Sequence, residues 1–340
     1  MTTGPWPCSA IPDRLRRSAL EGAARPAEPL PETSGAAFDL QLEAALRGRL
    51  PLAERLALRC SLRCSKAALL AARLGRLRTA ADGFARARAA LDSESLLDET
   101  KAIGSAFNGA AEAYLDYRSG AYTAAIRGLR ACVAIDDRLE SDHGYKILHL
   151  HKLQLVENIV RVDARRGRPG DAVRLAVHLL DYLGRAAPEL PVPGAWGGDR
   201  LDLLPPALCN AMWVQIFAEL PVILAGAGSC GGIGSIHLRA LPEHDAGRLC
   251  LEWLELMREL SRDRDTVASD RACRFLAEGR RQVPVLWHAL LVEIAAVAAC
   301  AGRPEAGAIR LFVANVLGGM GNVGAVFLRR LDGVDGTGKK

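Results

Sequence analysis

Runs of β-branched residues in period-two alternation are missing from this 340-residue chain, and aromatic residues make up only 5% of it. Sheets are built on residues of those kinds, whereas the plentiful Ala, Leu and Arg suit close-packed helices, so the composition excludes a β architecture and predicts an all-α protein. The nine cysteines are an odd number, scattered, and contain no CxxC pair. That excludes a disulfide framework and a paired-thiolate zinc site, and reads as cysteine used as a small core hydrophobe in a reducing compartment. A basic-then-apolar leader is also missing, which with the cysteine usage predicts a cytoplasmic location. No GxSxG, HExxH or phosphate-loop pattern occurs, so the sequence names no catalytic residue, no metal ligand set and no cofactor. Nor is there a long apolar run free of costly groups. Residues 203–228 carry Asn210, Gln215, Glu219 and Pro221, and residues 283–301 carry His288 and Glu293, which predicts helices buried in a soluble stack rather than membrane spans.

What the chain does contain is a repeated turn. In residues 106–137 an apolar-striped helix runs into Ser119-Gly120 and a second helix follows at once, with Tyr122, Ala125, Ile126, Leu129 and Cys132 at helical spacing. Two helices joined by so short a turn must pack antiparallel. The same beat occurs at Gly75, Leu77, Ala80, Phe84 and Ala87, at Gly167, Pro169, Ala172 and Ala176, and at Gly302, Pro304, Gly307 and Leu311. Gly120, Tyr122, Ala125 and Leu129 resemble the turn and second helix of a tetratricopeptide repeat. The resemblance implies a right-handed stack of antiparallel helical hairpins, an α-solenoid, whose first helices line a concave face.

Composition shifts divide the chain into a mobile Pro-rich arm (1–35), helical-hairpin repeats (36–187), a linker or surface loop with four prolines (188–205), an apolar helical region (206–332) and a polar tail (333–340). The run GAGSCGGIGS, from Gly226 to Ser235, has glycines in GxGxxG spacing. It follows a helix rather than a strand, so it reads as a connector.

Charge is unevenly placed. Between Arg47 and Arg88 stand eleven Lys or Arg against Glu54 and Asp82, and Arg55, Arg59, Arg63 and Lys66 form one basic stripe on a helix. The stripe is either a solvated face or a seat for an acidic protein, peptide or intramolecular surface. Arg76, Arg78, Arg86 and Arg88 also sit on the recognition side of a possible helix-turn-helix around Gly75, but the same spacing recurs at Gly120 and Gly167 without basic residues, which favours repeats over nucleic-acid binding. Cys60 and Cys64 continue an apolar line through Leu56, Ala67, Ala71 and Leu74 and read as core. His149 and His151 point apart on their helix, against joint metal ligation. Glu219, His288 and Glu293, polar groups in very apolar helices, are the candidates for an alternative reading as an all-helical enzyme or enzyme subunit.

By the resemblance, the concave face brings Tyr114 and Tyr117 of one hairpin beside Gln154, Asn158 and Arg161 of the next, a groove for an extended peptide, or else a filled seam and a wet face. The expected function is therefore recognition without chemistry, with a protein or peptide as partner, in some cases acidic, and neither nucleic acid nor membrane.

Overall fold

The computed structural model describes residues 11–26, 33–228, 236–239, 244–262, 269–320 and 324–333. Among them every regular element is a helix, so the chain is all-α. It divides into two compact units, a central one of residues 32–213 and a terminal one formed by residues 1–31 together with 214–340.

The terminal unit begins with α1 (Asp13–Ala24), and the central unit holds α2 (Thr33–Arg49), α3 (Leu52–Arg73), α4 (Leu77–Ala89), α5 (Asp98–Arg118), α6 (Tyr122–His143), α7 (Leu148–Arg165), α8 (Pro169–Leu183) and the short α9 (Gly198–Leu201). α3 packs on α4, α5 on α6 and α7 on α8, giving three hairpins; α5 also packs on α3 and α4, and α7 on α6. Their turns share one geometry. Gly75, Gly120 and Gly167 all have left-handed φ, +77°, +80° and +84°, which side-chain-bearing residues adopt only at a cost. Each turn closes with the same pair of bonds. Gly75 N–H donates to Ala72 O and Arg76 N–H to Ala71 O (3.0 and 2.9 Å), and the equivalent donors at Gly120–Ala121 and Gly167–Arg168 reach Tyr117 and Asp116, and Ala164 and Asp163. Five residues beyond each glycine an alanine, Ala80, Ala125 or Ala172, is fully buried where the helices cross. A Cβ at any of the three glycines would meet no atom within 4 Å, so Gly→Ala carries only the conformational cost. Gly120→Ala is expected to lower stability by roughly 1–2 kcal/mol, and Gly120→Asn by less, in urea unfolding followed by circular dichroism.

The face of α3 that enters the core differs from the expected one. Leu58, Ser61, Ser65, Ala68 and Ala72 are buried, while Leu56, Leu74 and Cys60 are exposed. Small residues win the interface because the helices approach closely: a Cβ on Gly83 of α4 would stand 2.8 Å from the Ala68 Cβ. Ser61 Oγ donates to Ala87 O (2.7 Å) and accepts from Asn108 Nδ2 (2.8 Å), so its polar group is matched inside.

The segment 188–205 is not a linker between units. Leu190, Val192, Leu201 and Leu204 are buried and the segment lies inside the central unit, whose boundary falls within the next helix, α10 (Pro206–Gly226). α10 is long and apolar enough to cross a bilayer, the one such helix among the described residues, and 56% of its most apolar window is buried in the protein.

The rest of the terminal unit consists of α11 (Asp245–Arg262), α12 (Asp270–Glu278), α13 (Pro284–Cys300), α14 (Ala306–Gly318) and α15 (Ala325–Gly333). α13 and α14 meet around Gly302, φ +62°, with the same turn bonds to Ala299 and Ala298. Within the stretch expected to be a mobile arm, α1 is a docked helix packed on α12, and Leu15, Ala19 and Gly22 are buried. Most of the glycine run 226–235, and the tail from residue 334, lie outside the described residues.

Candidate functional site

The first helices of the three hairpins, α3, α5 and α7, carry the residues expected to form a groove. Tyr114 packs against the first hairpin's core of Ala68, Ala72, Ala80 and Phe84, and accepts a hydrogen bond from Arg118, which also reaches Arg73 O. It is thus part of the seam between the first two hairpins. Tyr117 lies between Tyr114 and Tyr122, with ring centroids 5.7 and 6.1 Å away. On α7, Arg161 donates to Asn158 Oδ1 (3.1 Å) and Glu157 (2.6 Å), while Gln154 is half-buried. The tyrosines form one cluster against α3, α4 and α6, and Asn158 with Arg161 form another on α7.

A helix of the chain lies against these first helices. α2 buries Phe38, Leu42 and Leu46 along one face, and Leu50, just past its end, is buried at the same four-residue spacing. Phe38 meets Phe107 of α5 and His151 of α7 at centroid distances of 6.2 and 6.3 Å. Arg49 donates to Glu99 at the start of α5 (2.9 Å) and lies over the Tyr145 ring. Glu99 carries burial that would raise its pKa, yet Tyr145, Arg49 and His143 outweigh it and hold the carboxyl below its ordinary value. Toward α3, Glu43 pairs with Arg59, and Asp39 stands 3.8 Å from Lys66.

The basic stripe is therefore divided. Arg59 and Lys66 face acids of α2, Arg55 is half-buried, and Arg63 is exposed without an acidic partner among the described residues. Around it lies an uncovered apolar surface: Leu52, Leu56, Leu70 and Leu74 are 61, 53, 57 and 60% exposed. Positions 52, 56, 59, 63, 66 and 70 follow one another at steps of four, three, four, three and four, the spacing of a coiled-coil seam. Of the four arginines on α4 or before it considered for nucleic acid, Arg88 is tied to Glu112 of α5.

Between α6, α7 and the 195–200 loop is a buried charged node that the sequence did not announce. The Lys152 side chain is fully buried, and its three donors find Asp137 Oδ1 (2.6 Å), Glu140 Oε2 (2.7 Å) and Ala195 O (2.8 Å), with the Trp196 ring centroid at 4.9 Å. Arg200 reaches the other oxygen of Glu140 at 2.8 Å. Two cations thus face two carboxylates. Burial alone would raise the pKa of Glu140, but His149 and Lys152 outweigh it and bring it down to about 2. His149 is pushed below its ordinary value, first by burial and then by the Lys152 charge, against the pull of Glu140; its Nε2 meets the Tyr182 hydroxyl at 2.8 Å. Tyr182 also bonds Gly197 at both N and O. Beside the node, His151 bonds Asp136 (2.7 Å) and stacks on Phe107 at 4.3 Å, and burial raises the Asp136 carboxyl despite that partner. An amine saturated by three acceptors is no nucleophile, so the node's work is to pin loop 195–200 onto α6 and α7. The signal present in the sequence was charge inside an apolar stripe: Asp136, Glu140, His149 and Lys152 all fall on core-facing positions of α6 and α7.

The residues of the enzyme alternative lie in the terminal unit, where His288 is lowered to about 4, first by burial and then by Arg280, and rests against Phe327. Glu293 stands 3.8 Å from Arg330, and Glu219 is half-buried on α10. No family model, curated protein or solved structure matches this chain.

Proposed function

We propose that this chain is a recognition scaffold, a tetratricopeptide-like stack of helical hairpins that binds a segment of another protein without chemistry. The repeated left-handed glycine turns and the alanines set five residues beyond them support the repeat reading. The binding reading rests on one observation, the outward face of α3, where four leucines stand more than half exposed around a basic centre. Single exposed leucines are ordinary, but three along one helix face with a fourth, Leu74, at its C-cap, spanning about 33 Å at 1.5 Å per residue, mark an interaction surface. The buried node fixes α6, α7 and the 195–200 loop together, and α6 packs on α5, which in turn packs on α3, so the hairpins that carry the face are held in one unit.

Site-specific photo-crosslinking in cells tests it. A crosslinker at position 56 or 70 is expected to capture discrete protein adducts that a crosslinker at the exposed control position Arg174 does not. Equal adducts from all three positions would remove the reading.

A further inference from the structure

The seam on α3 is built unlike an ordinary apolar patch. At its two ends stand leucine pairs, Leu52 with Leu56 and Leu70 with Leu74, and between them come three cations, Arg59, Arg63 and Lys66, with no acid on the stripe. Like charges at such spacing repel one another, and solvent alone screens them poorly at one helical turn. The chain shows how that centre is relieved. Asp39 and Glu43, four residues apart on α2, face Lys66 and Arg59, seven apart on α3, while Arg63 between them keeps no acidic partner among the described residues. An acidic helix edge laid along α3 is thus the arrangement the protein itself uses. It is incomplete: α2 covers none of the four end leucines enough to bury them. A longer helix could match the cations and bury the ends together.

We infer that the outward seam of α3 takes an amphipathic helix of a partner protein, about six turns long, aliphatic at both ends and acidic in its middle third, and that Asp39 and Glu43 of α2 hold the basic centre until such a helix replaces them. The inference rests on the scaffold reading and names its partner. Knobs-into-holes packing at heptad spacing supplies affinity at the ends, and the charged middle fixes register and rejects a basic helix.

Two labelled 24-residue peptides test it on the full chain by fluorescence anisotropy. Both carry leucine at the end heptad positions; one has Glu and the other Lys at the central ones. The Glu peptide is expected to bind at least about tenfold more tightly than the Lys peptide, more weakly as salt rises, and about tenfold less tightly to the Leu56→Asp/Leu70→Asp variant. The triple variant Arg59→Glu/Arg63→Glu/Lys66→Glu should reverse the preference, a gain of Lys-peptide binding that an unfolded protein cannot produce. Asp39→Ala/Glu43→Ala, which removes the competing acids, should tighten binding of the Glu peptide several-fold. Absence of binding by the Glu peptide, equal binding of the two peptides, or a preference that survives the triple variant would overturn the inference. So would a wild-type chain that is dimeric by light scattering and becomes monomeric on Leu56→Asp/Leu70→Asp, since a second copy would then be the occupant. Position-specific crosslinks from residue 56 combined with equal peptide binding would leave the scaffold standing and remove only the acidic-centred partner.

Discussion

Replacing Lys152 by Met is expected to destabilise the central unit by about 3–5 kcal/mol and to lower its melting temperature by roughly 10 °C. The size of the effect follows from what stays behind rather than from what is removed. Methionine fills much of the lysine's volume, so little cavity forms, but Asp137 and Glu140 remain beside each other with only Arg200 and the neutral His149 to answer them, and Ala195 O loses its donor. A buried carboxylate without its cation forfeits several kcal/mol. Urea unfolding read by far-ultraviolet circular dichroism measures the loss, and a cycle with Glu140→Gln apportions it: the double variant should recover 1–2 kcal/mol relative to the sum of the singles, at about that order for a coupled pair. A loss under about 1 kcal/mol for Lys152→Met would show that the node is not load-carrying.

The same residues contribute to the response to acid. Glu140 has its carboxyl lowered from 4.5 to about 2, so the stability it contributes is present above pH 4.5 and is lost as the pH falls toward 2. His149 is lowered from 6.5, so it resists a proton that the unfolded chain accepts, and stability drops as the pH falls below 6.5. Asp136 is raised by burial and works the other way, its cost easing as acid protonates it. Glu99 and His288, also lowered, act in the same direction as Glu140 and His149, while Asp163, raised by burial, joins Asp136 in opposing them. Unfolding free energy measured from pH 7 to pH 3 should therefore decline, and the portion below pH 4.5 should shrink in Glu140→Gln.

The repeated turn was legible in the sequence because its requirement is local. A helix that ends in a left-handed residue and restarts at once favours glycine there, and Gly75, Gly120, Gly167 and Gly302 recur at that place. Helix class was legible for the same local reason. The face of α3 was not, because in a helix rich in Ala and Leu two stripes are apolar enough to be core. Periodicity offered Leu56, Cys60, Ala67, Ala71 and Leu74, whereas closeness of approach selected Ser61, Ser65, Ala68 and Ala72. That choice is made by Gly83 on the neighbouring helix, which no pattern within α3 contains. The expected groove met a similar limit: spacing about the glycines placed Tyr114 and Tyr117 on the right helix, but it could not show that α2, read as the start of the repeats, would lie across α5 and α7 through Phe38. The node draws on residues 136–140, 149–152, 182 and 195–200, and only the fold brings such distant segments together.

Substituting Val for Gly22 is expected to cost the terminal unit about 3 kcal/mol and to release α1. Proline density makes the first residues look unable to order, yet α1 joins a unit whose other members begin some two hundred residues later. Its hold is narrow. Leu15 and Ala19 bury fully, and at Gly22 the helix comes so near that any Cβ would collide with the Leu276 carbonyl oxygen and stand 2.8 Å from Trp287 Nε1, whose own hydrogen bond to that oxygen is 2.7 Å long. Arg280 then closes the helix by donating to the carbonyls of Ala23 and Arg25, which α1 cannot satisfy itself. A side chain at Gly22 therefore has no soft neighbour to displace: backbone on one side, a bonded indole on the other. Either α1 lifts away or the Trp287 bond breaks, and the ion pair of Arg14 with Asp270, exposed on both sides, is too weak to hold the helix alone. Hydrogen exchange should show amides 15–24 losing protection in Gly22→Val while α3–α8 of the central unit keep theirs. Unchanged protection across α1 would mean that the close approach at Gly22 is not what secures it.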